Sequence, residues 1–369
     1  MIETGGAGAG RHVIDLARAL SSEGHRLSIV YSARQAEPWF VSAVAGLKDV
    51  RSYCQPMHHQ PRPSDIHAVR RIRKIVLRDG PFDIIHGHSS KGGAIARFAA
   101  MRTSCKTLYT PHAFVTMNAT LPVAKRYCYG VIERLLATVT DALICVSSAE
   151  YDHAISLGIA PRRLRTIPNG LFPLPDVDRS MVRSELGLHE EHAVIGFVGR
   201  LESQKAVDRL IAAFAIVAKA QPSARLVIVG HGSTEQVLRQ QAANLGISNR
   251  IVWTGSVNGA RMMAAFDVFA LSSIYEAFPY VFIEAALCGL PIVSTDVGGT
   301  TELVHTGKNG SVIAIGDVPR FAAALNALIS DPTMRSQFGA ASRELGKNFT
   351  ARVMADRTLE LYKELVSAH

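Results

Sequence analysis

The sequence lacks most features that would settle its class at once. Its 369 residues include only five cysteines, Cys54, Cys105, Cys128, Cys145 and Cys288, odd in number, scattered and nowhere in C-x-x-C spacing. That pattern excludes a disulfide framework or a cysteine zinc site and fits reduced thiols in a cytosolic protein. No apolar run approaches the ~18–20 residues that a membrane span needs. The opening MIETGGAGAG has no basic n-region followed by an apolar h-region, so no secretory signal is expected there. There is no low-complexity tract and no repeat of fixed period. No G-x-x-x-x-G-K-[ST] occurs, which excludes a P-loop. The loop GGAGAG (5–10) suggests a dinucleotide fingerprint, but G-x-G-x-x-G from Gly6 would need glycine or alanine at Arg11. The next strand, RLSIVYS, also lacks the terminal acid that would hold a ribose.

What is present is a large apolar reserve and an uneven charge. Hydrophobic residues make up 48% of a chain long enough for two domains, each of roughly 150–200 residues. Residues 1–180 hold 23 Lys+Arg against 14 Asp+Glu, while residues 181–369 hold 17 of each. The whole excess of +9 therefore lies in the first half. Nucleic acid, an anionic membrane surface or an acidic ligand would each account for it. No nucleic-acid recognition motif accompanies it.

Short β-branched runs alternate with helix-period segments throughout, which predicts parallel α/β architecture. Strands are expected at 26–31, 83–88, 106–110, 142–147 and 165–168, and then at 193–199, 224–230, 250–255, 267–273, 291–295 and 309–315. Helices are expected at 10–22, 66–78, 122–138, 206–220, 234–245, 279–288 and 319–330. The stretch NGLFPLPDVDRS (169–180) reads as a linker. The expectation is two doubly wound, Rossmann-like domains, 1–175 and 185–345, facing a cleft, with a terminal helix in 346–369 packing back toward the amino domain. Ligands in such sheets bind at strand C-terminal ends. Only Met1 to Glu3 precede the glycine loop, too few for the usual central strand. Either the native start lies upstream or the sheet is short at its middle, and the first is favoured.

Three strand ends in the second half carry the chemistry. GRLESQKAVDRLI (199–211) places Gly199, Arg200 and Lys205 between a strand and a helix. Two cations there suit a diphosphate, which Arg binds bidentately and Lys as a point charge. VGHGS (229–233) is a glycine turn where backbone must come close to a ligand or to another loop. EAFPYVFIEAALCGLP (276–291) sets Glu276 at a helix entrance and Glu284 inside the helix among Val281, Phe282, Ile283 and Leu287. A carboxylate so placed needs a hydrogen-bond partner, and the free N–H groups of the helix start suit an anion. Alone each feature is weak; in order, at successive strand ends, they are specific.

With these motifs the sequence resembles the family 4 retaining glycosyltransferases of the GT-B fold. Gly199-Arg200-Leu201, Gln204-Lys205 and Asp208 match the family's phosphate loop, Glu276 and Glu284 its Glu-x7-Glu signature, and Gly298-Gly299 with Glu302 the next loop. The likeness runs through GGAGAGRHVIDLARALSSEGH (5–25), DIIHGHSSKGG (83–93), YTPHAF (109–114), VSSAE (146–150) and IPNG (167–170). HGHSSKGG and TPHAF resemble members that build bacterial exopolysaccharide or lipid-linked saccharides. The resemblance implies that Glu284 binds the ribose and Glu276 the donor sugar. Gly5, Gly6, Gly199, Gly230, Val257 and the run Ala277, Phe278, Pro279, Tyr280 and Val281 would line the donor, with backbone near Gly255 to Val257 holding the base. Arg200 and Lys205 would neutralise the departing diphosphate, so no metal and no cofactor is expected. His112 would stand near the reaction centre, and His88 and Lys91 on the acceptor side.

The expected activity is therefore a metal-independent, hexosyltransferase-type transfer from a nucleotide diphosphate sugar to a saccharide, lipid-linked by expectation, in exopolysaccharide or envelope glycan assembly. The protein is expected in the cytoplasm, peripheral at the inner face of the membrane, with anionic lipid as a partner and nucleic acid not. The alternatives are a GT-B sugar-nucleotide epimerase and a non-catalytic two-lobed ligand-binding protein. Two departures from the family stand out. Ala206 and Ala277 occupy positions where glycine is usual, and a required positive φ would be costly there. His86 and His88 alternate on a strand, but no third metal ligand lies nearby in sequence. His58, His59 and His67 read as surface groups, and Glu302 as either a helix cap or a ligand. On helix 66–78, Ile66, Val69, Ile72 and Val76 form a stripe, and Arg70, Arg71, Lys74 and Arg78 fall to the other sides.

Overall fold

In the computed structural model, which describes residues 1–2, 6–34, 36–58 and 61–367, the β-branched runs become strands of parallel sheets. The chain divides into two units, one of residues up to Phe172 together with those from Thr350 on, the other Pro173–Phe349. The first holds β1 (Leu27–Tyr31), β2 (Val50–Cys54), β3 (Ile84–His88), β4 (Lys106–Thr110), β5 (Ala142–Cys145) and β6 (Leu164–Thr166). The second holds β7 (Ala193–Val198), β8 (Ala224–Val229), β9 (Ile251–Gly255), β10 (Val268–Leu271), β11 (Ile292–Thr295) and β12 (Gly310–Ile313).

In the second unit the strand order is β12-β11-β10-β7-β8-β9, the doubly wound order whose direction reverses between β7 and β10. The loops after those two strands therefore lie side by side. In the first unit β2-β1 and β3-β4-β5-β6 are joined through Ile2, which bridges Tyr31 on one side and His88 on the other. Ile2 is fully buried among Val13, Ile14, Ile29 and Phe40. Helix Ala351–Ser367 belongs to this unit, and its Met354, Ala355, Leu359 and Leu361 pack on Leu16, Leu20 and Leu108.

Some local expectations are corrected. The glycine loop is shorter than read, because the first helix spans Ala7–Ser22 and Gly8 and Gly10 lie in its first turns. The buried stripe of Val13, Ile14, Leu16, Ala17 and Leu20 drives that helix, and the bond from the Gly10 N–H to the Gly6 carbonyl extends it backward. Strand β2 has a polar sequence, VRSYC, with exposed Arg51 and Ser52, so no hydrophobic period announces it. In helix Asp65–Asp79 the buried residues are Ala68, Ile72 and Ile75, while Ile66 is 52% exposed; the stripe is turned from the one read in the sequence.

Candidate active site

The second unit gathers its charges where β7 and β10 end. After β7, the backbone of Gly199 and Leu201 is pinned to the β8 loop, the Leu201 N–H donating to the His231 carbonyl at 2.9 Å. Gly230 (φ 133) and Gly232 make this approach possible, since a Cβ on either would sit 1.9 Å from the Gly199 oxygen or 2.3 Å from that of Leu201. The glycine turn thus serves loop-to-loop packing. Residues Ser203–Lys205 form a single 3-10 turn, and Ala206 turns the chain through a left-handed conformation (φ 45, ψ 45) into helix Val207–Ala220. The positive φ expected to be costly is present.

The loop after β10 locks onto that turn. The Ile274 N–H donates to the Gln204 carbonyl, the Gln204 amide to the Tyr275 carbonyl and the Ser272 hydroxyl to the Lys205 carbonyl, all at 2.9 Å. At the centre the Lys205 ammonium lies 2.5 Å from Glu276, whose same oxygen accepts from the Ser273 hydroxyl at 2.7 Å. The Lys205 side chain is 13% exposed and that of Glu276 is 10%, so the ion pair is largely desolvated. Arg200 stands exposed beside it in the chain. Pro279 caps helix Tyr280–Leu287 instead of starting it, and Gly289 (φ 72) ends the helix as the sequence suggested. Glu284 is half-buried on that helix. Gly298 and Gly299 touch the Glu276–Ala277 backbone, where a Cβ would come within 2.3 and 2.6 Å. Buried Ala277 and Phe278 complete the wall. Val257 is 47% exposed beyond β9, and Glu302 lies in the short helix Thr300–Leu303.

The first unit gathers histidines. His86 and His88 share one face of β3, His112 follows β4, and His12 comes from helix Ala7–Ser22. His88 Nδ1 and His112 Nε2 are 3.1 Å apart, and the two rings stack with centroids at 5.4 Å. His12 lies edge-on to His112 at 4.7 Å and bonds Asn169 Oδ1 at 3.0 Å through Nδ1. His86 bonds the Tyr362 hydroxyl at 2.7 Å and the Thr110 hydroxyl at 2.8 Å. Burial holds all four rings neutral: it lowers His12 to about 4 and pushes His86, His88 and His112 well below the usual imidazole range. Three non-glycine residues with positive φ, Ser89, His112 and Ala113, frame the cluster. Such strain concentrates at functional sites. Glu150 supports the His112–Ala113 turn by accepting the Ala113 N–H at 2.7 Å, and burial raises its carboxyl to about 7.

The sequence singled out His88 and His112; His12, Glu150 and Asn169 fell within its family-like stretches without a role of their own, and Tyr362 lay outside them. His12 sits on an apolar helix face, and the signal was a polar residue among Val13, Ile14 and Leu16. Lys91 is engaged by Asp65 at 2.8 Å and by the His58 carbonyl. Gly6 precedes the first helix, whereas Gly5 and His59 lie outside the described residues.

Comparison with known proteins bears on both units. A family model described as "Glycosyl transferase 4-like domain" matches residues 7–170, and one described as "Glycosyl transferases group 1" matches residues 178–345. The chain is 28% identical to EpsD of Bacillus subtilis, a protein that carries a glycosyltransferase name, over 85% of this chain and 84% of that one. It is 30% identical to the D-inositol 3-phosphate glycosyltransferase of Stackebrandtia nassauensis, over 78% of this chain and 69% of that protein. Its fold matches the crystal structure of HepE of Anabaena with UDP and glucose, with a TM-score of 0.84, 23% identity and 98% of each chain covered.

Proposed function

Because the chain belongs to the family 4 glycosyltransferases of the GT-B fold, we propose that it moves a hexosyl group, with retention, from a nucleotide diphosphate sugar to a saccharide acceptor. The observation that carries the reading is the Lys205–Glu276 pair beside Arg200, at the strand ends where the second sheet reverses direction. The bond from the sugar C1 to the diphosphate breaks and one to an acceptor hydroxyl forms, that hydroxyl's proton leaving with the products. Negative charge grows on the diphosphate, and fixed cations that meet it lower the barrier. Arg200 and Lys205 serve that role, so transfer runs without a divalent metal. Glu276 orients the sugar hydroxyls and Glu284 the ribose. A uridine nucleotide is the favoured donor, in keeping with the UDP bound to HepE.

The acceptor is lipid-linked and belongs to exopolysaccharide or envelope glycan assembly, as the likeness of HGHSSKGG and TPHAF to such enzymes supports. The first unit binds it, through His88, Lys91 and His112, in a protein held at the inner face of the cytoplasmic membrane. Arg70, Arg71, Lys74 and Arg78 are exposed on helix Asp65–Asp79. On helix Val123–Ala137, next to Lys125 and Arg126, the side chains of Val123, Tyr127, Val131 and Leu135 recur every fourth residue and are exposed. Apolar groups beside cations suit an anionic leaflet. Among the described residues no helix is long and apolar enough to cross a membrane.

The test is a screen of uridine, guanosine and adenosine diphosphate sugars against an extract of lipid-linked oligosaccharides, in excess chelator. Acceptor-dependent release of free nucleoside diphosphate, with a mass gain of one hexose on a lipid-linked product, is expected. Release without acceptor, or epimerised donor, would overturn the assignment.

A further inference from the structure

Folding brings to His88 the metal-ligand partners that the sequence did not place near it. One nitrogen from each of His12, His88 and His112 lies within 4.8 Å of the other two. Ligands around a tetrahedral zinc ion stand about 3.3 Å apart, given Zn–N bonds of about 2.0–2.1 Å. The 3.1 Å between His88 Nδ1 and His112 Nε2 already meets that spacing. His12 has up to about 1.5 Å left to close, the difference between 4.8 Å and that spacing.

At His12 the proton position favours the same result, whereas the hydrogen bond between His88 Nδ1 and His112 Nε2 holds one N–H whose proton moves to the other nitrogen of its ring when both ligate. An amide oxygen only accepts, so the bond to Asn169 puts the His12 proton on Nδ1 and the lone pair on Nε2. That Nε2 atom is buried and has no hydrogen-bond partner among the described residues. A buried acceptor left bare costs free energy; a ligating nitrogen recovers it. A metal-bound histidine characteristically gives its other N–H to a carbonyl or carboxylate, which is what His12 does toward Asn169. His86 already has partners on both nitrogens, Tyr362 and Thr110, and stands behind His88 with ring centroids 4.1 Å apart. Burial keeps the three rings in the neutral form that binds metals.

We propose that His12, His88 and His112 form a binding site for a borderline divalent transition ion, with zinc as its physiological occupant. Three imidazoles suit zinc, cobalt, nickel and copper and leave a fourth position for water or an anion. The ion takes the lone pair of His112. On the reading of His112 as a group near the reaction centre, the metal is therefore an inhibitor of transfer and not a cofactor.

The experiment uses the full chain, stripped with chelator and titrated with cobalt(II). One equivalent giving the intense visible bands of tetrahedral cobalt, bleached by one equivalent of zinc, is the expected result. Affinity should fall at least tenfold in His12→Ala. Asn169→Ala, which removes only the outer partner, should lose about 10- to 100-fold. His67→Ala, on the surface, should bind as wild type does. Circular dichroism confirms that each variant is folded, and the wild-type titration needs no variant. Absence of tetrahedral bands in the wild type, or cobalt binding untouched by His12→Ala, overturns the site. Zinc should also lower transfer reversibly. Tetrahedral binding without inhibition upholds the metal site and removes His112 from the reaction instead.

Discussion

The two units reach chemical competence by opposite means. The second collects formal charges at loops: Lys205 and Glu276 pair at 2.5 Å with little exposure, and Arg200 stands in solvent. The first collects neutral rings in its interior, where His12 and His88 are 1% and 3% exposed. A buried ion demands a partner of opposite charge, whereas a buried imidazole needs only a hydrogen bond. So on the proposed reading, function in the second unit hangs on which charges are present, and in the first on where protons sit. Mutation of Lys205 or Glu276 should therefore act on the second unit and protonation of the rings on the first, which also keeps a buried ion pair of its own, Arg97–Glu133.

The largest effect expected is on turnover. Lys205→Ala should lower kcat by about 10²–10³-fold, the usual cost of removing one donor to developing negative charge. It also leaves Glu276 desolvated without its cation, so the second unit should lose about 3 kcal/mol of stability. Arg200→Ala, exposed, should lower kcat with little change in stability. Stopped assays at saturating donor, beside denaturant melts, separate the two. Wild-type turnover in either variant would end the contrast.

Next in size is acid sensitivity confined to the first unit. His12 falls from 6.5 to about 4 on folding because of burial, so the unfolded chain binds a proton there that the folded chain does not. Its stabilisation is complete above pH 6.5 and drains away as pH drops toward 4. The full loss is roughly 3 kcal/mol, at 1.36 kcal/mol per pKa unit. His86, His88 and His112 pull the same way. Glu150 opposes them: raised from 4.5 to about 7, its contribution is fully present below pH 4.5 and is lost as pH rises through 7. Burial raises the carboxyls of Asp15 and Glu133 in this unit as well, so four imidazoles stand against three carboxyls, and the net sign expected is that of the imidazoles. Amide protection factors, which remove the pH dependence of intrinsic exchange, should fall from pH 7.5 to 5.5 in helix Ala7–Ser22, β3 and β4 and hold steady in β7 to β12. An equal fall in both units would refute the division.

A smaller change is expected at Glu284. Its loss removes hydrogen bonds between the nucleotide and a charged group, worth about 1.5–3 kcal/mol, or roughly 10- to 100-fold in nucleoside diphosphate affinity. Calorimetry on Glu284→Ala checks it, and unchanged affinity for every nucleotide tested would withdraw the ribose assignment.

The same contrast explains what the sequence made legible. Arg200, Lys205, Glu276 and Glu284 were legible as a set, because charges that are bland singly recur in order at successive strand ends of one sheet. The parallel architecture follows from β-branched runs, and the strand order around β7 and β10 brings the two loops together. Strand β2 escaped notice because its half-buried Val50 and Tyr53 are separated by exposed Arg51 and Ser52 and fall on opposite faces, so no alternation marks it. The histidine cluster was invisible for another reason. His12 and Asn169 are 157 residues apart, and His86 meets Tyr362 across 276. Local pattern carries no information about such pairs; only the tertiary fold creates them.

The smallest effect expected tests strain inside the charged unit, at Ala206. With φ 45 and ψ 45 its Cβ crowds the following carbonyl, at a cost of roughly 1–2 kcal/mol that glycine would not bear. Against that, glycine loses about 0.4–1 kcal/mol through a freer unfolded chain, and Ala206, 4% exposed, gives up a buried methyl worth about 0.8 kcal/mol. The terms nearly cancel, so Ala206→Gly should lie within about 0.5 kcal/mol of wild type. Ala213 is a control about two helix turns further on, fully buried inside helix Val207–Ala220. There glycine costs about 1 kcal/mol of helix propensity and the same methyl, so Ala213→Gly should lose about 2 kcal/mol. The measurement is the gap between the two denaturation midpoints. Equal losses at both positions would mean that the turn before the helix carries no strain, and that alanine fits it as well as glycine.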